Sequence, residues 1–291
     1  MSRQHDFTEG NILRQLIIFS GPIILADFLQ TSYQIIDSLW VGNLLGARAL
    51  GAVSVSSVII FTVLSFVIGL NSATLAILSQ QKGRGDEGGL KRYLNAFVII
   101  LFILVLLLSF GGIIFTNLFL HLLGTPESIF ADAKLYLQIN FIGMLFLVGY
   151  NFISAVLRSL GDSQTPLRFV TIAVILKIFV DPLFISGFNW GIAGAAYATI
   201  FCQGVAFLYG IIYVIYKKAA PFTISHLPQW QEVRVILHVG LPSGLQMAVI
   251  SAGLAAIMSV VTSFGPVVVG GYGAANRIDS LILLPAMALG T

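Results

Sequence analysis

Two carboxylates and two amides interrupt the first long apolar run of the chain, at Asp27, Gln30, Gln34 and Asp37. Spaced three, four and three residues apart, they fall on one helical stripe about 80° wide. A charged side chain at the centre of a membrane helix costs about 2.5–3.5 kcal/mol on insertion scales. Such residues therefore face a protein interior or a water-filled path, where they mark ion or substrate handling. A second constellation lies in residues 176–183. Lys177 and Asp181 are four apart and share a helix face, and Pro182 beside them removes a backbone donor. Two readings fit this pair: an internal salt bridge that neutralises two awkward charges, or a proton or cation site. Asp181 lies about six residues from the outer end of its apolar run, and Asp37 at the outer end of the first, so the two can meet.

The elements that position these groups must be membrane helices. The chain has 291 residues, of which 57% are hydrophobic and 9% charged, with a mean hydropathy of +0.96. A soluble domain carries about 25% charged residues. The composition reads as an all-α, polytopic transmembrane helix bundle. Eight spans are expected, near 12–37, 51–79, 93–122, 134–157, 168–187, 191–216, 235–262 and 269–291, each near or above the roughly 20 residues that cross the hydrocarbon. The first run is long enough to span and has no small-residue cleavage site, so it is retained and not a signal peptide.

Eleven of the basic residues, from Arg3 and Arg14 through Lys82, Arg92 and Arg158 to Arg234, fall on one side of this topology, and only Arg48 and Lys134 on the other. The positive-inside rule sets the rich side, and the N-terminus, in the cytoplasm of a cell membrane.

Several function classes drop out. The net charge of +3 is too small to indicate nucleic acid, the single Cys202 builds no disulfide framework, and the four histidines lack metal-ligand spacing. Gly83-Arg84-Gly85-Asp86-Glu87-Gly88 fits a dinucleotide fingerprint but follows a membrane span without a βαβ unit, so it reads as a loop. No phosphate loop, catalytic triad or metal cluster points to an enzyme, and no cofactor is expected. Thr199 follows the small-residue start of the sixth span, where Gly191, Gly194, Ala195 and Ala196 allow close helix approach. Its hydroxyl can also bond its own helix backbone. Gln203 and Gln246 are amides within apolar spans, either helix–helix contacts or cavity lining. Arg277 and Asp279 fall in the eighth span.

A weak internal repeat adds an organisation. Gly21-Pro22 recurs as Gly240-Leu241-Pro242, and Leu45-Gly46 with Gly51 recurs as Phe264-Gly265 with Gly270. Parallel repeats of this kind are a transporter signature. Residues 1–218 read as a six-helix lobe, 219–234 as a cytoplasmic inter-lobe loop, and 235–291 as the first two helices of a second lobe. The chain therefore reads as a truncated two-lobed, twelve-helix transporter.

Local strings then become recognisable. Ile36-Asp37-Ser38-Leu39-Trp40-Val41-Gly42, Leu157-Arg158-Ser159-Leu160-Gly161-Asp162-Ser163-Gln164-Thr165-Pro166, Val180-Asp181-Pro182-Leu183-Phe184, Gly240-Leu241-Pro242-Ser243-Gly244 and Ala275-Asn276-Arg277-Ile278, in this order, resemble motifs of the multidrug and toxin extrusion (MATE) family. The resemblance covers the whole chain. It implies a two-lobed exporter of lipophilic or cationic compounds, a monomer in the bilayer, driven by inward H⁺ or Na⁺. It implies Asp37 as the principal coupling carboxylate, Pro22 as the bend point of the first helix, and Asp181 and Thr199 as members of the same polar cluster. Asp27, Gln30, Gln34, Gln203 and Gln246 are the candidate cavity residues. One position departs from the family pattern, which often has Asn where this chain has Lys177. A fixed ammonium opposes Na⁺, so Lys177 is expected to tie up Asp181 and leave Asp37 to carry the proton. The alternatives are a flippase for a lipid-linked saccharide or lipid, and a transport-inactive truncated product. A flippase would line its cavity with several Arg or Lys for phosphates, and here only Lys177 and Arg277 qualify.

Overall fold

The computed structural model describes residues 12–222 and 228–262, and these are helical nearly throughout. The order is α1 (Ile12–Gly83), α2 (Glu87–Leu122), α3 (Glu127–Ile142), α4 (Met144–Ser159), α5 (Gln164–Pro182), a π-helical turn (Leu183–Gly187), α6 (Gly191–Lys217) and α7 (Trp230–Thr262). Among the described residues, five helices are long and apolar enough to cross a membrane, and six if α3 and α4, bent by 50°, count as one span.

The first two expected spans are the two arms of α1, each longer than the roughly 20 residues a bilayer requires. The connection expected over residues 38–50 is instead helical, and the chain leaves helical torsions at Gly46 alone (φ 82°, ψ −177°). That conformation is essentially restricted to glycine, because a Cβ would strain it. α3 shows that the arms double back. Ser56 lies 3.3 Å from the carbonyl of Ala133, and Tyr136, one turn along, reaches Asp37. Positions on either side of Gly46 thus stand at one level beside the same helix. Arg48 donates to the Ser128 carbonyl and closes the tip of this hairpin onto the start of α3.

α2 begins with a side-chain cap, Asp86 accepting from the amide of Gly89 at 2.8 Å. At the end of α5, Pro182 cannot donate to the preceding turn. The backbone widens there into the π-helical turn, closed by the bond from the Phe188 amide to the Leu183 carbonyl at 2.9 Å. Pro22 leaves α1 helical, and Gly46 remains the non-helical residue in it.

α7 packs along the second arm of α1, and glycine decides how closely. A Cβ on Gly69 would lie 2.2 Å from the backbone nitrogen of Gly244, so the two helices cross backbone to backbone. Small residues permit such approach where lipid supplies no hydrophobic drive. Near the start of α7, Arg92 and Glu232 form an ion pair at 3.6 Å. The expected eighth span, with Arg277 and Asp279, lies outside the described residues.

Candidate functional site

Three members of the α1 stripe line a cavity of about 1000 Å³ that is walled by both arms of α1 and by residues of α3, α4, α6 and α7. Gln30, Gln34, Asp37, Thr199 and Gln203 line it. Asn71 from the second arm of α1, with Asn140 and Asn151 from α3 and α4, makes the wall amide-rich. Ligand cavities usually measure about 300–1,000 Å³, so this one stands at the upper end.

At its wall sits a charge cluster built by three helices. Lys177 on α5 is fully buried, and its Nζ is 2.7 Å from Asp37 Oδ1 on α1 and 3.1 Å from Asp181 Oδ1 on its own helix. The same nitrogen donates to Thr199 Oγ1 on α6 at 2.8 Å. Below it lies the ring of Tyr33, with the centroid 4.7 Å away, an arrangement that attracts a cation to the π face. Tyr33 in turn donates its hydroxyl to the Thr199 carbonyl at 3.2 Å. The hydroxyl of Tyr136 approaches Asp37 Oδ2 at 3.4 Å. Asp181 is fully buried and its Oδ2 has no hydrogen-bond partner among the described residues, whereas Asp37 retains 7% exposure and lines the cavity.

The arrangement differs from the sequence expectation in one respect. Lys177 was expected to engage Asp181 and leave Asp37 free. It holds both carboxylates, and the shorter contact is to Asp37. An ammonium has three donors, and here Asp37, Asp181 and Thr199 surround it.

The remaining candidates separate. Gln30 is hydrogen-bonded to the Tyr150 hydroxyl at 2.9 Å, which fixes one amide of the stripe to α4. Gln34 is exposed toward the cavity. Asp27 is not among the cavity-lining residues and instead lies within electrostatic range of Arg158. Gln246 is exposed on α7 and does not line the cavity, so it does not share the site with the others. Among the lining residues that the sequence reading did not single out are Tyr33, Tyr136, Asn71, Asn140, Asn151 and Arg158. A signal existed for Asn151 and Arg158. Asn151, Ser154 and Arg158 are spaced three and four apart, the same kind of polar stripe as on α1. Tyr33 and Tyr136 carried none, because a tyrosine in an apolar run is usually packing.

The MatE family model matches residues 22–183. Over 289 residues the chain is 59% identical to the probable multidrug resistance protein YpnP of Bacillus subtilis (strain 168), covering 99% of this chain and 65% of that protein. Among solved structures, a MOP superfamily transporter from Pyrococcus furiosus superposes with a TM-score of 0.89 at 24% identity, over 96% of this chain and 63% of the other. The Vibrio cholerae MATE transporter VcmN, in its bent form, gives 0.86 at 25% identity, over 95% and 63%. The chain thus spans less than two thirds of the length of these relatives.

Proposed function

The chain belongs to the MatE family, and from that premise we propose that it acts in a cell membrane as a secondary exporter, moving lipophilic or cationic compounds outward against inward protons. The observation that carries this reading is the Asp37–Lys177–Asp181 cluster in the wall of a large amide-lined cavity. With two carboxylates and one ammonium ionised, the cluster carries one net negative charge. Of the three, Asp37 is the one that lines the cavity. A cationic substrate therefore meets Asp37 first. Protonation of one carboxylate makes the cluster neutral and removes that attraction, so proton and substrate compete for one site.

Competition of this kind couples the two fluxes when each ligand binds the inward- and outward-facing states differently. Bending of α1 near Pro22 would separate those states and carry Asp37 with it. Na⁺ fits less well, because the Lys177 ammonium already occupies the position between the carboxylates and like charges oppose binding. A flippase would need several Arg or Lys free to hold phosphate, and Lys177 is engaged with both carboxylates. In the same reading, residues 1–218 are one six-helix lobe, 219–234 the cytoplasmic connection, and 235–291 the start of a second lobe. The Lys/Arg-rich ends then face the cytoplasm, and the protein works as a monomer.

The test is dye efflux in everted membrane vesicles, with a pH gradient and a Na⁺ gradient imposed separately. Movement driven by pH alone, and lost in Asp37→Asn, is the expected result. Movement driven by Na⁺ alone would overturn the proton reading, and no movement under either gradient would overturn export.

A further inference from the structure

A second cavity, of about 680 Å³, opens at the Lys/Arg-rich end of the bundle, between the ends of α1, α2 and α6. Leu90, Leu160 and Val214 are buried and give it an apolar floor. Its rim is basic. Lys82 lies in the last turn of α1, Lys91 in the second turn of α2, and Lys218 caps α6. Two backbone reversals bring these three together. Gly85 (φ 69°) turns the chain between α1 and α2, and Lys218 takes the left-handed conformation (φ 46°) that stops α6. Asp86 and Glu87 also line the space, but α2 takes up their charge. Asp86 accepts from the Gly89 amide at 2.8 Å, and Glu87 stands in the first turn, at the positive end of the helix dipole. Among the described residues the three lysines close no ion pair with either carboxylate.

An apolar path leads from this rim along α6. Ile215 lines the cavity, and Ile212, Leu208, Phe201 and Tyr197 continue from it within about 60° of one helix face. All five are between 47% and 71% exposed, so no other helix covers them. A ligand that fits both features joins a negative head to a long apolar tail. Basic pockets between membrane helices hold anionic headgroups in this way. We propose that this cavity is a binding site for one phospholipid with a net negative headgroup, its phosphate at Lys82, Lys91 and Lys218 and an acyl chain along the α6 stripe. The site stands apart from the Asp37–Lys177–Asp181 cluster and requires only that the chain spans a membrane. A phospholipid with a choline headgroup brings the same phosphate with a fixed cation, which the lysines oppose.

The test is native mass spectrometry of the full chain in detergent, titrated with phosphatidylglycerol or phosphatidylcholine of identical acyl chains. The apparent Kd of the first bound lipid is read for each. A basic residue near a membrane surface is worth about fivefold in affinity. With Glu87 and Asp86 subtracting from three lysines, phosphatidylglycerol should bind about tenfold more tightly. The preference should vanish in the triple variant Lys82→Gln, Lys91→Gln, Lys218→Asn, where Asn suits the left-handed turn. It should survive in Arg84→Gln, Lys217→Gln, Arg234→Gln, which removes equal charge from the same side but outside the cavity. Equal binding of the two lipids by the unaltered protein, or retention of neither, would overturn the site without any variant. Equal loss in both triple variants would also overturn it, because diffuse surface charge would then suffice. Displacement of phosphatidylglycerol by excess inorganic phosphate, but not by excess chloride, would make the site one for a soluble anion and overturn the lipid assignment.

Discussion

Replacing Lys177 by Met removes the ammonium but keeps a side chain of similar reach. In the native cluster Asp37 Oδ1 and Asp181 Oδ1 lie 2.7 and 3.1 Å from Nζ, so these oxygens stand at most about 5.8 Å apart. Two carboxylates at that separation repel by about 3 kcal/mol at an effective dielectric of about 20. Orphaning the partners of a buried charge costs about 3–5 kcal/mol in measured cases. The Lys177→Met protein should therefore lose about 3–5 kcal/mol of unfolding free energy, followed by SDS titration in mixed micelles. The cycle is completed with Asp37→Asn. Added to Lys177→Met, it removes one of the two repelling charges and should return about 3 kcal/mol. The double variant is then more stable than Lys177→Met alone, the reverse of what additive damage gives. A Lys177→Met protein as stable as the parent would refute the reasoning. So would a double variant no better than Lys177→Met, because Lys177 would then not be holding two ionised carboxylates together.

Further outcomes follow from the same geometry. Gly46→Ala meets no atom within 4 Å but imposes a side chain on φ 82°; the expected cost is about 1–3 kcal/mol, measured by the same titration. Gly69→Val drives a branched side chain into the backbone of Gly244, and should destabilise by about 1–3 kcal/mol or more, as overpacking does, with loss of α7 docking detected by protease access to the segment before Trp230. Lys177→Asn replaces the fixed cation by a neutral amide; in everted vesicles it should gain Na⁺-driven efflux that the parent lacks, and an unchanged ion preference would remove Lys177 from the ion-selectivity argument.

Much of the architecture was legible because it rests on local chemistry. Apolar runs of sufficient length gave the helices, and i, i+4 spacing gave the shared face of Lys177 and Asp181, which the structure bridges at 3.1 Å. What crosses between helices was not legible. Nothing in the periodicity of α1 or α5 states that the ammonium of Lys177 stands closer to Asp37 than to its own-helix neighbour. The reversal between the first two spans was legible, but its form was not: one glycine torsion, at Gly46, makes it, and the flanking residues stay helical. Arg158 was counted among the basic loop residues because Gly161 and Asp162 follow it. The stripe it forms with Asn151 and Ser154 pointed instead into the bundle. Gln246, an amide in an apolar run that fits either a helix–helix contact or cavity lining, is exposed on α7 and does not line the cavity of the described residues.

The central claim is that a proton and a cationic substrate exclude one another at the Asp37–Lys177–Asp181 cluster. By linkage, binding of one must then expel the other to the same degree. The most direct measurement is proton release on substrate binding, with purified protein in weakly buffered micelles, a pH-indicator dye and a lipophilic cation as titrant. The account predicts that, at a pH low enough for the cluster to hold its proton, protons appear in proportion to the cation bound, with none released by Asp37→Asn. Cation binding that releases no proton from the unaltered protein at any pH across the titration of the cluster would contradict it.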